Sequence, residues 1–118
     1  MDRENLERYR RKLLEARAEV IDRVRKAEDY GRELDPKSEA MDLVDQASAA
    51  YSKEFFFSLS HADRKLLQMI DEALRRIDDG TYGFCQRTGD PIEPKRLEAV
   101  PWARLCIRAQ EMEERRRA

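Results

Sequence analysis

Cysteine, glycine and proline are all scarce in this chain, at two, four and four residues among 118. Two thiols cannot build a disulfide framework, and a chain that stays in a reducing compartment needs none. No run of about 18 apolar residues occurs, so a membrane-spanning helix is not expected. Met1-Asp2-Arg3-Glu4-Asn5 opens the chain without the apolar stretch of a secretion signal. Neither sign of charge is in excess: the formal net charge is −1, which gives no electrostatic pull toward a nucleic-acid backbone. These absences favour a cytoplasmic protein with a protein partner and without membrane attachment.

What the chain does have is charge of both signs, 42% of its residues, arranged around narrow apolar stripes. Leu6, Tyr9, Leu13, Ala16, Val20, Val24 and Ala27 recur every three or four positions, the signature of one helix. Arg10, Arg11, Lys12, Glu15, Arg17, Glu19, Asp22, Arg23 and Arg25 flank the stripe and are expected to face water, pairing in part at i,i+4. Gly31 and Asp35-Pro36 follow as stop and turn. A second stripe, Ala47, Tyr51, Phe55, Leu59, Leu66, Ile70, Ala73 and Ile77, ends at Asp79-Gly80. The two stripes predict a mainly α chain built on an antiparallel two-helix coiled-coil hairpin, residues 1–78, with its tip at about 35–47. Three consecutive aromatics, Phe55-Phe56-Phe57, fan over about 200° of a helix, so at least one is expected at the surface.

Beyond Gly80 the texture changes to turn chemistry, with Gly83, Gly89, Pro91, Pro94 and Pro101. Helical periodicity resumes near Trp102 and ends in Arg115-Arg116-Arg117. Residues 79–118 therefore read as a small module closed by a C-terminal helix. Within it, Cys85 and Thr88 have the C-x2-C spacing of a zinc knuckle, and Cys106 and Ala109 repeat it after 17 intervening residues. A structural zinc site needs four donors, and Thr88 and Ala109 supply no thiolate. The module is thus a degenerate zinc finger, expected to carry neither zinc nor any other cofactor. The loss of about 10 to 16 kcal/mol of apparent zinc-derived folding energy must then be offset by proline restriction, by burial of Tyr82 and Trp102, by packing of Cys85, Cys106 and Ala109, and by Thr88 bonding within its turn.

Gly80-Thr81-Tyr82-Gly83-Phe84-Cys85, Gly89, Ile92, Arg96-Leu97-Glu98-Ala99, Pro101 and Leu105-Cys106-Ile107 together resemble the finger of the DksA/TraR family. The resemblance extends back through both helical stripes. At the turn between them, Asp42-Leu43-Val44-Asp45-Gln46-Ala47 is similar to that family's DxxDxA tip motif. The resemblance implies a non-enzymatic regulator of bacterial RNA polymerase, acting without sequence-specific DNA binding, whose coiled-coil tip enters the secondary channel, with Asp42, Asp45 and Ala47 as the polymerase-contacting residues. It implies transcription control linked to the alarmone ppGpp, a link weakened here because the positions of the family's alarmone-facing cations hold Met69, Val100 and Gln110. Arg64, Lys65, Lys95, Arg96 and Arg108 lie near enough in sequence to compensate in part.

Read as residues alone, Asp42-x-x-Asp45 is also spaced as a helix-capping pair. Two other functions compete. Paired carboxylates position magnesium in the Gre transcript-cleavage factors, which use the same channel. Cys85 and Cys106, with Arg87 and Arg104 beside them in sequence, have the makings of a thiol-redox switch.

Overall fold

The computed structural model describes residues 1–28 and 51–117. Gly31 and the Asp35-Pro36 turn lie outside the described residues. Helix α1 spans Arg3–Glu28, α2 Lys53–Ser58, α3 His61–Asp79, α4 Pro94–Ala99 and α5 Ile107–Arg117. These elements divide into two compact units, Leu14–Gln68, and Met1–Leu13 with Met69–Ala118. In each unit α1 and α3 pair in opposite chain directions: Arg23 meets Asp63 at 2.6 Å in the first, Arg10 meets Asp78 at 2.6 Å in the second. The mainly α, antiparallel reading is the observed fold.

In the unit Leu14–Gln68, Val20 and Ile21 of α1 pack with Phe55, Leu59 and Leu67, edged by Val24, Tyr51, Phe56 and Leu66. Several residues depart from the stripes read in the sequence, among them Ile21, fully buried beside the first stripe. Leu67 is fully buried where Leu66 was expected to be the inward residue. Arg17, expected in water, is buried because its guanidinium lies 5.0 Å above the Tyr51 ring, where the cation meets the π face and its stem covers apolar surface. Lys26 and Asp22 form one of the expected i,i+4 pairs, at 3.1 Å. The aromatic run fans out as its spacing requires: Phe55 is buried, Phe56 half-buried and Phe57 65% exposed.

The second stripe is not one helix in the described residues. Leu59 leaves the helical region, with ψ at 151°, and ends α2. Each piece starts on a serine cap: the Phe55 N–H donates to Ser52 Oγ and the Asp63 N–H to Ser60 Oγ, both at 3.1 Å. Apolar periodicity carries no information about such caps, which is why the interruption was invisible to it.

The other unit begins on Asp2, whose carboxylate accepts the Asn5 N–H at 2.8 Å and caps α1. Tyr9 of α1 lies against Tyr82, ring centres 5.5 Å apart. The stop expected at Asp79-Gly80 is a Schellman motif: Gly80 takes φ +79°, its N–H bonds to the Ile77 carbonyl, and the Thr81 N–H reaches the Arg76 carbonyl. Helix α4 was read as turn; Pro94 sits in its first turn, where a missing N–H costs nothing, and Lys95-Arg96-Leu97-Glu98-Ala99 continues it.

Helix α5 starts at Ile107, not near Trp102. Carbonyls that a helix from Trp102 would use internally are already committed elsewhere in this unit. Tyr82 Oη donates to Pro101 O at 2.8 Å, Arg76 to Ala103 O at 3.4 Å, the Gln86 N–H to Arg104 O at 2.9 Å and Arg96 Nε to Leu105 O at 2.9 Å. Cys106 then gives its carbonyl to a helical N–H, from Gln110 at 2.9 Å. These bonds hold the stretch 101–105 in turn and bend geometry outside any helix, and they bury Arg76, whose guanidinium loses basicity through desolvation.

Candidate functional site

The knuckle around Cys85 is assembled by backbone. Phe84 and Pro91 form an antiparallel bridge, the Cys85 N–H donates to Asp90 O at 2.7 Å, and Ile92 N–H donates to Gly83 O at 2.8 Å. Between them the chain folds back sharply at Gly89, φ +80°, whose N–H returns to Cys85 O at 2.8 Å. The Gln86–Arg104 bond ties this knuckle to the segment that carries Cys106.

Three of the four degenerate positions are thereby brought together. Thr88 Oγ1 lies 4.0 Å from Cys106 Sγ and accepts the Asp90 N–H at 3.2 Å. Cys85 and Cys106 are both buried free thiols. Burial pushes the Cys85 thiol up, but hydrogen bonds from Thr88 and from the backbone N–H groups of Cys106, Thr88 and Arg87 outweigh it and draw the thiol well below its ordinary range. The groups named are not guanidinium side chains. Arg104 turns both of its contacts onto Glu113, 3.1 Å to each carboxylate oxygen. Ala109, in the first turn of α5, is fully buried and offers only a methyl group. Two thiols, one hydroxyl already accepting a backbone N–H and one methyl do not make the donor set of a four-cysteine zinc site. Among the described residues no three His, Cys, Asp or Glu side chains gather as a metal site.

A second cluster was missed by the sequence reading. Glu98 of α4 takes a salt bridge from Arg8 at 2.6 Å, a hydrogen bond from Tyr9 Oη at 2.9 Å and a further ion pair from Lys12. Lys12, Arg8 and Tyr9 together hold its carboxyl down at about 2. The partners are nearly ninety positions apart, so local patterns could not connect them. The signal available was Arg8 and Lys12 bracketing Tyr9 on one helix face, an i,i+4 cationic clamp. A carboxyl whose folded value is lowered stabilises the fold above its unfolded value and loses that contribution as pH falls toward the folded one. Wild-type protein is therefore expected to lose melting temperature more steeply than Glu98→Gln between about pH 4.5 and pH 2, starting above the variant at neutral pH and converging with it in acid. Parallel curves across that range would remove Glu98 from the account.

Asp42, Asp45 and Ala47, the expected tip residues, lie outside the described residues.

Fold and knuckle define a class: helical proteins in which an antiparallel helix pair is followed by a finger-like knuckle and a C-terminal helix. Residues 80–115 match the prokaryotic dksA/traR C4-type zinc finger. The RNA polymerase-binding transcription factor DksA of Caulobacter vibrioides is 38% identical over 117 residues, 98% of this chain and 80% of that protein. Its counterpart in Escherichia coli is 34% identical over 109 residues, 91% of this chain and 70% of that one. Among solved structures, transcription factor DksA2 from Pseudomonas aeruginosa is 34% identical and superposes with a TM-score of 0.65, over 98% of this chain and 88% of that chain. The chain belongs to the DksA/TraR family.

Proposed function

We propose that this protein is a non-enzymatic, cytoplasmic regulator of transcription that binds bacterial RNA polymerase through the secondary channel, presents Asp42, Asp45 and Ala47 there, and needs no zinc. One observation carries the reading: likeness to RNA polymerase-binding DksA proteins extends over 98% of the chain, helices included, and is not confined to the finger. Zinc independence is supported by the donor set and by what replaces the metal. The thiol of Cys85 is held by hydrogen bonds and Ala109 by full burial, while Tyr82 and Arg76 clasp the segment 101–103.

The chain's response to ppGpp is weak in this reading. Val100 lines an apolar groove with Ala99 and Ile107, and the Gln110 side chain is committed to Glu114 at 3.2 Å. Of the cations nearby in sequence, Arg96 is spent on Leu105 O, and Arg64 on the carbonyls of Phe57 and Leu59. Phosphates need charge-assisted donors, and of these five cations only Lys65, Lys95 and Arg108 remain uncommitted among the described residues, with Lys95 beside the groove. On a stringently controlled promoter in vitro, adding ppGpp is expected to change this protein's effect by at most about twofold, below the roughly fivefold lower end of typical allosteric coupling. A large synergy would overturn the alarmone part of the proposal. The same preparation added to a backtracked polymerase is expected to leave the transcript intact; rapid cleavage dependent on Asp42 or Asp45 would replace this proposal with a Gre-type activity.

A further inference from the structure

The residues on either side of Ser60 have the pattern of one helix and the structure of two. At about 100° per residue, the buried Phe55, Leu59, Leu67, Ile70 and Ile77 fall within an arc of about 120°. A helix running unbroken from α2 into α3 would present this same stripe inward, so burial of the stripe does not favour the break.

Local polar groups hold it instead. In a continuous helix the carbonyls of Phe57, Ser58 and Leu59 would accept the N–H groups of His61, Ala62 and Asp63. In the structure the Asp63 N–H goes to Ser60 Oγ, and Arg64 reaches back to donate to Phe57 O at 3.1 Å and Leu59 O at 3.3 Å. Its guanidinium lies over the rings of Phe56 and Phe57, at 5.3 and 5.7 Å. This arrangement has a cost, because Arg64 Nε is buried with no hydrogen-bond partner among the described residues. Helical bonds are lost, a cap and a clasp are gained, and one cationic N–H is orphaned, so the terms oppose one another.

We propose that Leu59–Ser60 is a two-state joint latched by Arg64, alternating between the kinked form and a helix continuous from Lys53 to Asp79. In the straight form the His61 and Asp63 N–H groups take the carbonyls that Arg64 now holds. Phe57 is then two turns from Arg64, about 10 Å along the axis, and the latch opens into solvent. The joint redirects the chain before Ser60 without emptying the apolar stripe. This inference rests on the fold alone and survives or fails independently of the polymerase reading.

Nuclear magnetic resonance on the full chain tests it. Ser60→Ala with Arg64→Ala removes cap and latch. The Leu59 Cα shift is expected to move from extended toward helical, and the His61 and Ala62 amides to exchange at least about tenfold more slowly than in wild type. His61→Pro locks the kink, since proline suits the first helical position and excludes the carbonyl four residues back. It should keep Leu59 extended and abolish the exchange broadening expected around Ser60 in wild type. Unchanged Leu59 shifts and unchanged amide exchange in the double variant would overturn the joint. Should the double variant not fold, Ser60→Ala alone carries the test, and no helical displacement of its Leu59 shift overturns the proposal equally.

Discussion

Thr88→Cys combined with Ala109→Cys is expected to turn a metal-independent protein into one that binds a single zinc ion per chain. The knuckle backbone needed for this is already formed around Cys85, and Thr88 Oγ1 already lies 4.0 Å from Cys106 Sγ. Only two donors are missing, and the substitutions supply both. A structural zinc site contributes about 10 to 16 kcal/mol of apparent folding energy, so the variant should melt far above wild type when loaded. Chelation should remove that gain and leave the variant at or below wild type, because cysteine at the fully buried position 109 must displace neighbours. Metal analysis of the two proteins gives the reading: one zinc per variant chain, none per wild-type chain, and a wild-type melting temperature indifferent to chelator. Stoichiometric zinc in wild type would refute the metal-free assignment.

Asp42→Asn and Asp45→Asn, singly or together, are expected to abolish the effect on initiation, a loss of at least about tenfold, or about 1.4 kcal/mol, while the melting temperature stays within a degree or two of wild type. Asparagine is chosen because it caps helices as well as aspartate does. The substitution removes charge and keeps the capping oxygen, so the two roles that share the Asp42-x-x-Asp45 spacing come apart. If the carboxylates serve only as caps, the asparagine variants regulate normally, and only Asp42→Ala or Asp45→Ala does harm, costing about 0.5 to 2 kcal/mol of stability. Transcription from a sensitive promoter, run beside thermal melts, distinguishes the outcomes. An effect retained in Asp42→Asn and Asp45→Asn would remove the acidic tip from the mechanism.

Where residues contact near neighbours in sequence, the pattern was sufficient. The stripe through Tyr9, Leu13 and Val20 lies inward, the stop at Gly80 is a Schellman motif, and Phe57 stands exposed beside buried Phe55. The failures share a physical origin. Arg17 is buried with its guanidinium over the ring of Tyr51, and Glu98, itself exposed, is held by cations on a distant helix. The start of α5 is delayed because Tyr82, Arg76, Gln86 and Arg96 claim its preceding carbonyls. Hydrophobic period reports which face turns inward; it does not report which carbonyl is already taken. At the knuckle, spacing located Cys85, Thr88, Cys106 and Ala109, but the means of holding the Cys85 thiol came from backbone N–H groups, which every sequence possesses and none advertises.

The regulator reading makes binding to the polymerase, not metal or alarmone chemistry, its first requirement. A fluorescent Gre-type factor bound to core RNA polymerase in the presence of chelator provides the measurement. The unlabelled chain should displace it competitively at one chain per polymerase, and the Asp42→Asn Asp45→Asn variant should displace it equally well while leaving initiation unaffected. A probe that stays bound at saturating chain, or displacement that appears only when zinc is restored, would contradict it.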